Sequence, residues 1–304
     1  MIKKVLLVCI SIVTAFSATS CNKVDMKKSQ IATEKSIKNP DIKDENQGKE
    51  YDVINKKGKT IEERFNVPKG FERISIKKNS FGDYLRKLPL KTHGSKVLYY
   101  DGREKIRDNV YIGVVDMDIG DRDLQQCADA VMRLRGEYLY KNKEYDKIHF
   151  NFVSGFNCSY SKWMDGYRVG IKNDKAYWKK KYNPSNNYES FRKYMNVVFA
   201  YASTLSLEKE LIPISKDSMK IGDVYIKGGS PGHAVIVVDM AKNKKTGEKV
   251  FMIAQSYMPA QDIQILCNND NSLFSPWYNL NFEDKLYTPE WTFDEDMLRR
   301  FKEN

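Results

Sequence analysis

The sequence predicts an α+β domain, an antiparallel sheet packed with helices, and three stretches carry that prediction. Val235-Ile236-Val237-Val238 is an unbroken β-branched run, as in a strand buried on both faces. The turn Asn243-Lys244-Lys245-Thr246-Gly247 and the apolar stretch Lys249 to Gln255 supply its hairpin partner. Leu124, Cys127, Ala128, Val131, Leu134 and Tyr138 recur at helical spacing between Asp121 and Lys141, which gives an amphipathic helix its buried stripe.

The amino terminus carries a different signal. Met1 to Lys4 is basic, and Val5 to Phe16 is an apolar run of signal-peptide length, too short to span a bilayer. Ala18-Thr19-Ser20-Cys21 sets small residues before a cysteine and resembles the bacterial lipobox, which implies acylation of Cys21 and cleavage before it. An ordinary secreted protein cut near Ala18 is the alternative. The expected organisation is a leader over 1–21, a flexible linker over 22–69, and one domain over 70–304. The linker is rich in Lys, Asp, Glu, Asn and Ser without an apolar period. Such a chain would be tethered to the membrane through its lipid, in the bacterial cell envelope and facing the periplasm.

Composition narrows the partners. The net charge of +11 favours contact with anionic envelope polymers, but no base-reading motif accompanies it, so nucleic acid is not an expected partner. Of five cysteines, Cys9 lies in the leader and Cys21 carries the lipid. The remaining Cys127, Cys158 and Cys267 are an odd number, which excludes a disulfide framework. The three histidines have no ligand spacing to one another, so no metal is expected. Gly228 to Gly232 lies between strands and lacks a following helix and lysine, so neither a nucleotide nor another cofactor is expected.

In chain order, Phe81 to Leu88 is a helix stopped by Pro89. Val97 to Tyr100 and Val110 to Val115 read as strands around the turn Asp101-Gly102-Arg103, and His93 as a loop residue. The longest helix starts at Asp121 and runs to Lys141, with acidic residues at its positive end. Ile148 to Val153 alternates, turning Ile148, Phe150 and Phe152 inward and His149 outward. Gly155, Gly166 and Gly170, with Trp163 and Tyr167 between them, form a turn-rich aromatic region. Tyr188 to Leu205 is a second helix, and Thr292 with Glu295 is a capping box for a final helix through Phe301.

The candidate site is built around Gly222 to Asp239, a short strand, a glycine-rich turn and the apolar strand that opens with His233. Gly232 removes a side chain beside that histidine and lets a ligand or another backbone come close. A hairpin centred near Lys245 sets Tyr257 opposite His233, with Gln255 diagonal on the same side. A neutral imidazole needs one nitrogen held if the other is to act as a base, and an amide carbonyl can do this. Cys127 lies within the first two turns of its helix, where the helix terminus favours a thiolate. It also lies on the apolar stripe, and inert packing is the other reading. Asp223, Gly232 and Tyr257 are the expected binding residues.

Two resemblances add to this. Leu85 to Leu90, Gln126 to Arg135, the His233 block, Gln255 to Gln261 and Tyr287 to Thr292 together resemble the DUF4846 family, mostly lipoproteins of Bacteroidota-type bacteria. The Gly222-Asp223-Val224 strand, the turn to Gly232-His233 and the next strand ending in Gln255 resemble the sheet of NlpC-type and CHAP-type cysteine peptidases. That likeness implies a papain-like plan in which Cys127 is the nucleophile, His233 the base and Gln255 the orienting residue. It implies a cysteine hydrolase or amidase acting on cell-wall peptides. The alternatives are a non-catalytic lipoprotein that binds an envelope peptide or glycan through the His233 cleft, and a structural lipoprotein bridging membrane and wall.

Overall fold

The computed structural model describes residues 52–272 and 274–302. The expected leader, the lipidation at Cys21 and most of the expected linker lie outside the described residues. The sheet is antiparallel throughout and has nine strands among those residues. Seven run in the order Tyr111–Val114, Gln264–Leu266, Lys249–Gln255, His233–Asn243, Val224–Lys227, Leu298–Arg300 and Ile212–Pro213. Phe71–Arg73 pairs with the far end of the His233 strand, and Tyr278–Asn279 with Lys249–Gln255.

The β-branched run does what its composition predicts. Every residue from His233 to Ala241 is buried, and the helices Phe81–Arg86 and Cys127–Lys141 pack on this strand. Asp239 sits within it at 0% exposure. Its carboxylate accepts hydrogen bonds from Arg73 and Arg86, each at 2.7 Å, so the buried charge is paired twice. Nothing in the local pattern marks this pair of partners, which lie more than 150 residues away in the chain.

Four expectations are corrected, two by local caps and two by packing and sheet pairing. The packed domain starts before residue 69: Ile61–Arg64 is a helical turn, and Ile61 and Phe65 are fully buried in the core. The longest helix starts at Cys127 and not at Asp121, because Asp129 accepts the Gln126 N–H at 3.0 Å and so stops the helix there. The second helix breaks at an extended Ala202, after which Ser203 caps a separate helix, Thr204–Glu210, by accepting the Leu205 N–H. The final helix is replaced by strands: Thr292–Asp294 pairs with Lys285–Tyr287, and Leu298–Arg300 joins the main sheet against Val224 and Tyr225. There an open sheet edge outcompetes a local capping signal. Val97 to Tyr100 forms only isolated bridges, and the turn-rich region after Trp163 contains a regular hairpin, Tyr167–Lys172 with Lys175–Lys180.

Candidate active site

The site forms where the Cys127 helix meets the start of the His233 strand. The hairpin register decides it. Lys249 pairs with Lys242 and Met252 with Asp239, but an irregularity after Met252 shifts the ladder so that Ile253 faces Val237 and Ala254 faces Ile236. A one-residue shift changes which side chains share a face. After it, Gln255 and His233 meet, with imidazole Nε2 2.8 Å from Gln255 Oε1, and the Tyr257 ring lies 4.8 Å from the imidazole.

A chain of contacts fixes the imidazole's protonation pattern. Gln255 Nε2 donates to Glu290 Oε2 at 2.7 Å, and the same oxygen accepts from Lys105 Nζ at 2.7 Å. The Lys105 and Glu290 side chains are 3% and 8% exposed. A carboxylate in an ion pair can only accept, so the Gln255 amide must turn its NH₂ to Glu290 and its oxygen to His233. His233 Nε2 therefore carries the proton, and Nδ1 keeps its lone pair. Rings of Tyr257, Trp291 and Phe293 surround the imidazole. Burial at 2% exposure pushes its pKa down to about 4, so it is neutral at pH 7.

Cys127 is the first residue of its helix, and the residue as a whole is half-buried. Burial pushes the thiol up to about 11, the nearby Asp129 adds to this, and backbone N–H groups of Ala128, Ala234 and Cys127 itself oppose it without prevailing. The Cys127 helix packs on the His233 strand. No hydrogen bond joins the sulfur to the imidazole among the described residues, and both groups rest neutral.

Cys127, His233, Gly232 and Tyr257 line one cavity of about 580 Å³, with Asp129 and Trp291 also on its wall. Gly232 is required by space: a Cβ there would lie 2.5 Å from both Gly229 O and Thr204 Oγ1. Asp223 is a correction. It is fully buried outside the cavity, and Arg300 binds both its oxygens, at 2.7 and 2.8 Å, so it anchors the sheet edge instead of contacting a ligand. Sequence reasoning missed Lys105, Glu290 and Asp129. Glu290 stands in the Tyr287 to Thr292 segment, but no spacing there points to Gln255, 35 residues away.

Fold and site together define a mixed α/β domain in which a helix-start cysteine and an amide-held histidine share a cavity. The chain belongs to the DUF4846 family, described as a domain of unknown function, whose model matches residues 61–300. No curated protein and no solved structure matches it.

Proposed function

We propose that this protein is a cysteine-dependent amide hydrolase of papain-like plan. The observation that carries the reading is His233, held through Nε2 by Gln255 at 2.8 Å, in the same cavity as Cys127 at the start of its helix. Because thiol and imidazole both rest neutral, the proton moves during attack and not before it. As a substrate carbonyl carbon approaches the sulfur, His233 Nδ1 takes the thiol proton and the S–C bond forms. Backbone N–H groups at the helix start favour the developing oxyanion. The imidazolium gives its proton to the leaving nitrogen as the C–N bond breaks, leaving a thioester. Water, deprotonated by the same Nδ1, then cleaves the thioester and returns the thiol. Gln255, Glu290 and Lys105 act by position, keeping Nε2 protonated throughout.

The cellular setting belongs to the same proposal: a mature chain beginning at an acylated Cys21, in the bacterial envelope, with amide bonds of cell-wall peptides as substrates. A second reading, a binding protein that uses the cavity without the thiol, is favoured by the lack of a hydrogen bond between sulfur and imidazole. A wall-peptide vinyl sulfone incubated with the full chain separates the two. Hydrolase chemistry gives one adduct on Cys127 by intact mass. The adduct is absent in Cys127→Ala, and its rate falls by about 100-fold or more in His233→Ala. A Cys127 adduct whose rate ignores His233 would refute the hydrolase. Undiminished binding of the parent peptide to Cys127→Ala, without any adduct in wild type, would establish the binding protein.

A further inference from the structure

The Tyr167–Lys180 hairpin carries a feature that the cavity does not use. Between Lys162 and Lys193 the chain has nine Lys and Arg against Asp165, Asp174 and Glu189, so this stretch supplies about half of the net charge of +11. The strand register places four of the nine, Arg168, Lys172, Lys175 and Lys179, on one face of the hairpin. Arg168 stands directly opposite Lys179, and Lys172 opposite Lys175, with Gly170 opposite Tyr177 between the two pairs. The Tyr177 ring covers Gly170 so closely that a Cβ there would meet it at 2.6 Å. The alternate side chains Val169, Ala176 and Trp178 turn the other way and pack on the core, with Trp178 against Phe156 at 5.4 Å.

Like charges directly opposite each other destabilise an antiparallel pair. Arg168 is absorbed locally, stacked on Trp163 and Tyr182 at 3.9 and 4.6 Å. Lys172, Lys175 and Lys179 are exposed, and none makes a salt bridge among the described residues. The hairpin is tight: Asn173 and Asp174 both have positive φ, 50° and 59°, the geometry of a two-residue type I′ turn. Tyr177, 44% exposed, stands among the lysines, and Ile171, 45% exposed, lies on the other face beside the turn.

We propose that the tip of this hairpin docks on an anionic bilayer, with Lys172, Lys175 and Lys179 meeting lipid phosphates and Ile171 and Tyr177 entering the headgroup layer. Charge complementarity selects an anionic partner. The exposed apolar and aromatic side chains select a lipid surface over a soluble polyanion, which would leave Ile171 in water. Tyrosine belts and lysines with apolar stems are the usual residents of that interface. The inference is independent of the hydrolase reading, because it uses no residue of the cavity.

The test is co-sedimentation of the full chain with phosphatidylglycerol/phosphatidylcholine vesicles and with phosphatidylcholine alone. The increment due to phosphatidylglycerol is the readout, since the apolar amino-terminal run contributes to both. The increment should shrink in high salt. It should fall about 100-fold in Lys172→Glu/Lys175→Glu/Lys179→Glu, at about fivefold or more per lysine. Lys77→Glu/Lys78→Glu/Lys245→Glu, with the same change in net charge, should lose less than about tenfold. Circular dichroism checks that both triples are folded. Equal losses in the two triples would reduce the effect to net charge and overturn the proposal, as would an unchanged increment in the hairpin triple. Binding to soluble polyphosphate without any phosphatidylglycerol increment would overturn it in favour of a polymer partner.

Discussion

Replacing Asp129 by asparagine should stabilise the protein increasingly as pH rises from about 4 to about 8 and leave it almost unchanged below about pH 4. Asp129 is 8% exposed. One carboxylate oxygen accepts the Gln126 N–H at 3.0 Å, and the other, Oδ1, is buried without a partner among the described residues. Burial pushes its pKa from 3.8 up to about 8. The folded protein therefore binds a proton that the unfolded chain has released across that interval. The resulting stability is fully present below about pH 4 and is lost as pH rises toward 8. A shift of this size corresponds to a ceiling of about 6 kcal/mol. The amide in Asp129→Asn keeps an oxygen for the Gln126 N–H and has no charge to bury. Its unpaired NH₂ costs about 1–3 kcal/mol at every pH, a cost that the unpaired O–H of the protonated acid shares. The difference between the two proteins therefore opens from about pH 4, where the unfolded chain's acid ionises, and is complete near pH 8, where the folded one does. Urea unfolding of both proteins at pH 5, 7 and 9 measures the slope directly. The same variant removes the carboxylate that helps hold the Cys127 thiol near 11, so iodoacetamide should label Cys127 faster at pH 9. A difference in stability independent of pH, with unchanged labelling, would refute the placement of a buried acid beside the thiol.

Two further outcomes follow from buried charge. His233 drops to about 4 in the folded protein from 6.5, so its contribution is present above about pH 6.5 and is lost as pH falls toward 4. The loss is about 3 kcal/mol, and acid titration of stability should lose this slope in His233→Gln. Asp239→Asn leaves the buried Arg86 and the half-buried Arg73 without their carboxylate. It should cost about 3–5 kcal/mol, read as a lower urea midpoint with an unchanged slope against denaturant.

Much of the site was legible because its signals are local. Cys127, Gly232, His233, Gln255 and Tyr257 follow from a helical stripe, a glycine-flanked strand start and a hairpin with a definable centre. Those cues depend on side-chain spacing along a few residues, which the chain carries wherever it folds. Asp223 misled for the same reason: its position beside the glycine-rich stretch suggests a ligand, while the Arg300 that occupies it arrives from the far end of the chain. The predicted final helix failed because the edge of the Val224–Lys227 strand offered hydrogen bonds that a capping box could not match.

By itself the sequence determined the antiparallel α+β plan, the buried central strand, and the cysteine and histidine on their respective elements. Only the tertiary structure decided that the ladder shifts after Met252 to bring Gln255 onto His233, and that Glu290 and Lys105 lock the imidazole's proton on Nε2. The physical reason is range. Periodicity and turn chemistry act within a few residues, whereas a buried charge or amide takes its state from whatever distant group the packed fold sets against it.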